Sequence, residues 1–320
     1  MPMPGNLCRD GEPAVVLVSG AGGHELAVVH ETLTHALRTP AVLITRADLP
    51  EISASLDVDN GLLWVDERRV RPAVVWVRHA GAATMATHGP LSAVSAAGWS
   101  DLLAQLTAAA SVALPGAAPA GPGQLTGARQ LGVAVPRTEI TTDMPAAARR
   151  IGTPRVVVKI PDFRLAEPDP RRWPALVPRV VDAAAVPGGS GAPVVVQEYV
   201  PHARELRVYH LDGALCAFEV TKPDPGAAWT DPATVTVSRV DCPAAAAAAV
   251  RALCTAWNLR YGAFDLLVRP DGEPVFLEAN PDGDWLWYEQ RAGWHGVSFM
   301  AAVMVRELFV RTTSRGSSRC

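Results

Sequence analysis

The chain has 320 residues, of which 49% are hydrophobic and 19% are charged, so it can bury the cores of two or three domains or subdomains. Its net charge of −3 argues against binding to nucleic acid or to an anionic membrane. Five scattered cysteines without a CxxC pair, no apolar stretch of spanning length and no signal-peptide pattern indicate a reduced, cytoplasmic protein without a membrane segment.

The N-terminal part alternates between apolar runs and a segment with helical spacing. "AVVLVSG" (14–20), "AVLITRADLP" (41–50) and "AVVWVRHA" (73–80) are predicted strands, and residues 22–40 between the first two are predicted to be helical. This βαβ order predicts a small parallel sheet. A helix is expected around 91–112.

A segment rich in Gly and Pro, "LPGAAPAGPGQLTGARQLG" (114–132), marks a domain boundary. Beyond it, "RVVVKIP" (155–161) and "APVVVQEYV" (192–200) are predicted strands, and residues 204–222 are a predicted hairpin that turns at Asp212-Gly213. Later elements include an alanine-rich helix and a last helix from about Val297 to Arg311.

The segment "AFDLLVRPDGEPVFLEAN" contains two apolar runs around Asp271-Gly272, which is a strong hairpin signal. A two-residue loop would pair Pro270 with Glu273. Counting back along both strands then places Asp265 directly opposite Glu278.

Three side chains that carry oxygen would therefore share one face, namely Asp265, Glu278 and Asn280. Opposed carboxylates repel by up to about 1 kcal/mol, so a cation between them is favourable. Oxygen ligands without His or Cys are typical of Mg²⁺ or Mn²⁺ shared with phosphate. The alternative is a pair of solvated acids at a strand end.

Further polar residues recur at the ends of predicted strands. In chain order they are Lys159, Gln197-Glu198, Glu205-x-Arg207 and Lys222, followed by Asp265 and Glu278-x-Asn280. Each of these residues alone is most often a surface group. As an ordered set they are hard to obtain by chance, and Lys159, at the end of an apolar strand, suits a nucleotide phosphate as a point charge.

Other local patterns are weaker. "SGAGGHE" (19–25) follows a predicted strand but has Glu25 at the third glycine position, which argues against a dinucleotide loop. His202 is expected on the surface. Trp285 and Trp287 are expected to pack the last helix onto the sheet, although Trp287 is also a candidate wall of a substrate pocket.

From about residue 130 to 310 the chain resembles the ATP-grasp superfamily, and the Asp265…Glu278-x-Asn280 element is the most specific part of that resemblance. The segments 132–143, 194–213 and 275–293 are similar to the ligases that build ester and amide crosslinks in graspetides, the microviridin-type ribosomal peptides. The resemblance implies an α+β or α/β chain with an ATP-grasp fold and an N-terminal βαβ pre-grasp domain.

The resemblance also implies a role for each candidate residue. Lys159 would bind ATP phosphates, Arg207 would neutralise the transferred phosphoryl group, and Lys222 would act near the γ-phosphate. The remaining assignments are the adenine hinge (Gln197, Glu198, Tyr199 and Val200), a further nucleotide contact (Glu205), the magnesium ligands (Asp265, Glu278 and Asn280) and the substrate contacts (Arg78 and Trp287). Two magnesium ions are expected, with Mn²⁺ as an alternative.

The predicted domains are a pre-grasp domain (1–115), a central linker with the first grasp subdomain (116–200), a C-terminal grasp subdomain (201–312) and a disordered tail (313–320). The expected activity joins a carboxylate, activated as an acyl phosphate, to an amine or hydroxyl. The expected substrate is a precursor peptide; the alternatives are a small-molecule carboxylate and acceptor, or a noncatalytic nucleotide-binding partner protein. A homodimer is compatible with the resemblance.

Overall fold

The structure is a computed structural model that describes residues 11–20, 24–81, 85, 92–160, 178–188, 191–223 and 234–316. The chain divides into two compact units. The first comprises residues 1–116, 259–262 and 281–320, and the second comprises residues 117–258 and 263–280. The division at Gly116 lies beside the predicted boundary at 115. The residues from Pro281 onward, predicted as part of the C-terminal subdomain, belong to the first unit.

The elements are numbered in chain order. The helices are α1 (His24–Glu31), α2 (Ser92–Ala109), α3 (Gly123–Gln130), α4 (Met144–Ile151), α5 (Ala244–Ala256), α6 (Leu286–Ala292) and α7 (Gly296–Gly316). The strands of the first unit are β1 (Glu12–Ser19), β2 (Ala41–Thr45), β3 (Ala54–Asp57), β4 (Leu62–Val65), β5 (Arg68–Arg78) and β6 (Val112–Leu114). The other strands are β7 (Thr138–Thr141), β8 (Arg155–Lys159), β9 (Arg179–Asp182), β10 (Val194–Glu198), β11 (Arg204–Leu211), β12 (Ala214–Thr221), β13 (Thr236–Val240), β14 (Tyr261–Val268) and β15 (Pro274–Asn280).

The first unit contains a six-stranded sheet in the order β2-β1-β5-β4-β3, with β6 also paired to β5. β1 pairs in parallel with β2 and β5, as predicted, and six consecutive residues of β1 are buried. Such a continuous apolar run is typical of a parallel strand covered on both faces. The antiparallel strands β3 and β4 extend one edge. The predicted wholly parallel sheet is therefore a mixed sheet.

The C-terminal helix packs against this sheet and against α1. Trp285 is fully buried, its ring stacks on Trp76 with centroids 6.0 Å apart, and its indole N–H donates to Ser298 Oγ of α7 at 2.9 Å. The predicted packing role of Trp285 is confirmed. α7 continues to Gly316, so residues 313–316 of the predicted disordered tail are helical.

The second unit contains two antiparallel sheets. The four-stranded sheet has the order β7-β10-β8-β9, and α4 covers it with a core that includes Ala147, Ile151 and Val196. The N-terminus of α4 is capped by Asp143, whose Oδ1 accepts from the backbone N–H of Ala146 at 3.0 Å.

The five-stranded sheet has the order β13-β12-β11-β14-β15. β11 and β12 form the predicted hairpin, in which Leu211 pairs with Ala214. Asp212 and Gly213 have φ values of 46° and 107°, as a two-residue turn between twisted strands requires. The prediction of a turn at Asp212-Gly213 is confirmed.

The hairpin of β14 and β15 has a longer loop than predicted. Val268 pairs with Pro274, and the backbone N–H of Arg269 donates to the carbonyl of Glu273 at 2.9 Å. The predicted pairing of Pro270 with Glu273 is therefore wrong by one residue.

A β-bulge then restores the predicted register of the acids. Leu266 pairs with Phe276, whereas Asp265 pairs with Glu278, so Leu277 is an extra residue on β15. The bulge offsets the longer loop by one residue. Asp265 consequently lies opposite Glu278, as predicted.

Among the residues that the structure describes, no helix combines the length and apolar character needed to cross a membrane. The thiols of Cys242 and Cys254 are free. Burial raises the pKa of the Cys254 thiol to about 12, so this cysteine is protonated at neutral pH.

Candidate active site

The five-stranded sheet carries the predicted charged residues on one face. Glu205 and Arg207 are two apart on β11, so their side chains project on the same side of the strand. Arg207 contacts Asp265 of the neighbouring strand β14, and Asp265 pairs with Glu278 of β15. Three adjacent strands thus contribute to one ionic surface.

The charged side chains of this surface form three pairs. They are Lys222 Nζ with Glu205 Oε1 at 2.8 Å, Arg207 Nη1 with Asp265 Oδ2 at 2.8 Å, and Lys159 Nζ with Glu278 Oε2 at 4.0 Å. The first two pairs are largely buried, whereas the side chain of Glu278 is 54% exposed. Among the described residues, three Lys or Arg side chains thus lie beside three carboxylates, and the Glu278 pair is the most accessible.

Arg207 uses a single nitrogen for Asp265. Its Nη1 donates to Oδ1 at 3.0 Å and to Oδ2 at 2.8 Å. Its Nε donates to the hydroxyl of Tyr209 at 3.4 Å. Burial raises the pKa of the Asp265 carboxyl, and the negative charge of Glu278 raises it further, while Arg207 opposes both effects.

The acids on this surface fit a hard cation. Asp265 and Glu278 supply carboxylate oxygens, and Asn280 lies two residues beyond Glu278 at the end of β15, opposite Ala263. Within the described part of the chain no group of three or more His, Cys, Asp or Glu side chains could hold a metal. Magnesium does not need one, because it keeps several waters and shares phosphate oxygens.

Lys159 connects the four-stranded sheet to this surface. It is the last residue of β8, where the strand leaves the sheet, and its side chain is 22% exposed. Its ammonium nitrogen lies 4.0 Å from Oε2 of Glu278. The expected phosphate-binding lysine and a predicted metal ligand are thus brought together by two different sheets.

The predicted hinge residues have engaged side chains. Gln197 is buried and donates to Thr138 Oγ1 at 3.0 Å, and Glu198 accepts from Arg137 Nε at 3.2 Å. The guanidinium of Arg155 lies 4.0 Å above the Tyr199 ring. The backbone N–H groups of Glu198 and Tyr199 donate to the carbonyls of Arg137 and Arg155, at 2.8 and 3.3 Å, so both the side chains and the backbone of this segment are held in place.

His202 does not lie on the surface, contrary to the prediction. Its side chain is only 6% exposed and lies beside Glu205 at 3.1 Å. The sequence places His202 after a predicted strand, and nothing local to it shows that β11 and Lys222 enclose it.

Gln124 is a structural contributor that sequence reasoning missed. Its side-chain amide is buried, donates to the carbonyl of Ala279 at 2.8 Å and accepts from the N–H of Ala279 at 2.7 Å. Ala279 lies between Glu278 and Asn280 on the edge strand β15, where backbone groups lack a strand partner. The sequence shows Gln124-Leu125 in the linker, but it does not show that Ala279 is the partner of Gln124.

Arg78 and Trp287, the two predicted substrate residues, belong to the first unit. Arg78 is fully buried; its Nη2 donates to the carbonyl of Asp282 at 2.7 Å, and its Nη1 lies 3.8 Å from Glu25 Oε2. Arg78 thus presents no surface to a substrate in this structure. Trp287 is half-buried, with Arg291 5.5 Å above its ring.

No protein-family model and no curated protein matches the sequence. Solved structures match the fold. Macrocyclase MdnC bound with precursor peptide MdnA, from Microcystis aeruginosa MRC, has a TM-score of 0.72 at 20% identity, over 92% of this chain and 99% of that chain. ATP-grasp ligase PsnB, complexed with a phosphomimetic variant of minimal precursor, Mg and ADP, has a TM-score of 0.70 at 20% identity, over 92% and 99%. D-alanyl-alanine synthetase A from Vibrio cholerae has a TM-score of 0.57 at 14% identity, over 94% and 99%. The chain has the ATP-grasp fold.

The ATP-grasp fold confirms the predicted fold class. The mixed α+β architecture places a βαβ unit at the N-terminus and two antiparallel sheets in the second unit. Lys159 belongs to one of these sheets and Arg207 and Asp265 to the other. The ionic surface therefore lies where the two sheets of the ATP-grasp fold approach each other.

Replacing Gln124 with Leu should destabilise the second unit. The buried N–H and C=O of Ala279 would lose their partners, at a cost of about 2–4 kcal/mol in the free energy of unfolding. Urea denaturation measures this change. Gln130→Leu, at an exposed position of the same helix, is the matched control. Equal effects of both variants would contradict the assigned contact.

Replacing Arg78 with Leu should destabilise the first unit, because Glu25 would remain buried without its cation. Removing one partner of a buried pair costs about 3–5 kcal/mol, which thermal or urea denaturation would detect. Arg71→Leu changes an exposed arginine of the same strand and is the control. Unchanged stability of Arg78→Leu would argue that Arg78 serves a ligand and not the fold.

Proposed function

We propose that the protein is an ATP- and magnesium-dependent ligase that activates a carboxylate as an acyl phosphate and joins it to an amine or hydroxyl. The observation that carries this proposal is the opposed acid pair, Asp265 and Glu278, which Arg207 and Lys159 contact, while Lys222 pairs with Glu205 on the neighbouring strand β11. Paired acids beside three cations suit a metal–polyphosphate ligand, which has both signs of charge.

The reaction has two steps. A substrate carboxylate oxygen attacks the γ-phosphorus of ATP; a P–O bond forms, the bond to the β-phosphate oxygen breaks, and ADP leaves. An amine or hydroxyl then attacks the acyl carbon, loses its proton, and releases phosphate as the amide or ester forms. The protein contributes positioning and charge neutralisation rather than covalent chemistry.

The cations would neutralise phosphoryl oxygens. Lys159, at the end of β8, would contact the ATP phosphates, and Arg207 would neutralise the transferred phosphoryl group and the acyl phosphate. Lys222 would act near the γ-phosphate. Each cation is now paired with a carboxylate, so each would exchange or share that partner when the nucleotide binds.

Asp265, Glu278 and Asn280 would hold magnesium, which when bound neutralises charge on the phosphate oxygens. The negative charge of Glu278, which contributes with burial to the raised pKa of Asp265, favours a cation at this position. We propose two ions, with Mn²⁺ as an alternative. Gln124, which holds the backbone of Ala279, would keep Glu278 and Asn280 in place.

Adenine would lie against residues 197–200, where Thr138, Arg137 and Arg155 hold the side chains of Gln197, Glu198 and Tyr199 in place. Glu205 would contact the nucleotide through the oxygen that it does not give to Lys222. This arrangement separates adenine recognition from phosphate neutralisation along the same surface.

We propose a precursor peptide as the substrate, with Trp287 on the substrate side; Arg78, which is fully buried, is not part of this proposal. MdnC bound with a precursor peptide and PsnB with a minimal precursor support this assignment, because the chain covers nearly the whole of each. A small amino acid or short peptide is the second candidate, supported by the match to D-alanyl-alanine synthetase A. A noncatalytic partner protein is disfavoured, because the unfavourable acid pair would serve no purpose there.

Two further features belong to the proposal. Use of cellular ATP and the free thiols of Cys242 and Cys254 support a cytoplasmic location. A homodimer is a further expectation that size-exclusion chromatography with light scattering would test.

Replacing Glu278 with Gln should remove magnesium-dependent turnover. Loss of one ligand charge that stabilises the transition state lowers the rate by about 10²–10³-fold. ADP release is measured with magnesium, first with precursor-type peptides that contain Thr and Glu or Asp, and then with amino acids. Glu273→Gln in the same hairpin, where the side chain only pairs with Arg269, is the control.

The outcomes separate the candidates. Turnover with peptides alone supports the first substrate assignment, and turnover with amino acids alone supports the second. ATP binding that is unchanged by magnesium removal and by Glu278→Gln would overturn the proposed site.

A further inference from the structure

His202 occupies an enclosed position between the two sheets of the second unit. It lies in the segment 199–203 that leads from β10 of one sheet into β11 of the other. Its Nδ1 lies 2.8 Å from the carbonyl oxygen of Val200, and its Nε2 lies 3.1 Å from Glu205 Oε1. The imidazole therefore bridges the connecting segment to β11.

The two partners of His202 determine its protonation. A backbone carbonyl can only accept a hydrogen bond, so Nδ1 must carry a proton to bond with Val200. Glu205 also receives Lys222 Nζ at 2.8 Å, and an ionised carboxylate likewise only accepts. Either neutral tautomer would place a lone pair against one of these oxygens. Only the imidazolium satisfies both contacts.

Among the described residues, the charged groups that act on His202 are Glu205 on β11 and Lys222 after β12. The ring centroid of Tyr199 lies 6.2 Å from that of His202. The guanidinium of Arg155 lies over the ring of Tyr199. The hydrogen bond to Glu205 raises the pKa of His202, while burial and the charge of Lys222 oppose that shift.

We propose that His202 is a positioning residue of the nucleotide site, in which its imidazolium ties the Val200 carbonyl to Glu205 and so holds the connecting segment in its nucleotide-binding conformation. This inference rests on the proposed function. His202 touches neither phosphate nor metal ligand; it fixes the backbone on which adenine would lie and the carboxylate that would face the nucleotide.

The proposal predicts a pH dependence with a defined sign. The ordinary pKa of histidine is 6.5, and that of His202 is raised above it. The bridge is therefore present below the raised pKa and lost as the pH rises through it. The Kd for MgATP should be constant at lower pH and increase by about 10-fold above the raised pKa, the effect of losing one charge-assisted hydrogen bond.

The first measurement is the protonation state of His202 in the whole protein. Imidazole ¹⁵N resonances are recorded between pH 5.5 and 9.5, and the signal absent from His202→Gln is assigned to His202. Two protonated nitrogens at pH 7 and a titration above the ordinary histidine pKa of 6.5 are expected. A neutral ring at pH 7 would overturn the proposal, whether or not ATP binds.

The second measurement is the Kd for MgATP by calorimetry across pH 7 to 9.5. His202→Gln should bind MgATP about 10-fold more weakly at pH 7 and lose the pH dependence of the Kd. His202→Lys keeps a positive charge but cannot reach both the Val200 carbonyl oxygen and Glu205 Oε1, so it should show the same two changes. His35→Gln is the control.

The outcomes distinguish the two proposals. Wild-type protein that does not bind MgATP would overturn the proposed function. Wild-type binding that His202→Gln leaves unchanged at every pH would overturn only the role of His202. Equal thermal stability of the variants at pH 7 is checked first, so that weaker binding reports the site.

Discussion

The repulsion between Asp265 and Glu278 is the interaction on which the remaining site depends. Two carboxylates at cross-strand distance on one face of a sheet are unfavourable unless a cation lies near them. In this structure the nearby cations are Arg207, at 2.8 Å from Asp265, and Lys159, at 4.0 Å from Glu278. Both sheets of the second unit thus supply charge to one acid pair, and their approach gives the ATP-grasp fold its candidate site.

The position of that acid pair depends on an edge strand. β15 has a strand neighbour on only one side, and a bulge at Leu277 interrupts its ladder. The exposed edge is held instead by Gln124, which bonds both backbone groups of Ala279, and by the carbonyl of Ala134, which accepts from Phe276 N–H at 2.9 Å. These contacts take the place of strand pairing along this edge of β15. The positions of Asp265 and Glu278 therefore depend on the Gln124 side chain of helix α3.

Several site features followed from residue patterns, and others did not. Alternation along β14 and β15 was enough to place Asp265 opposite Glu278, although the predicted loop was too short and a bulge compensated for it. Bulges arise from packing of the whole sheet and have no reliable local signal here. His202 was expected at the surface because its enclosing partners, Glu205 and Lys222, lie on two different strands.

The sequence by itself determined the chemistry: which strands end in charge, which turns close hairpins, and that three candidate ligands for a hard cation converge on one hairpin. These properties are local, because side-chain alternation and turn preference act over a few residues. Only the tertiary structure decided which charges pair, how deeply each is buried and what holds the edge of the sheet. Gln124 and Ala279 are 155 positions apart, and Arg78 and Asp282 are 204 apart. Contacts at such separations depend on how whole elements pack, and no pattern within one element specifies them.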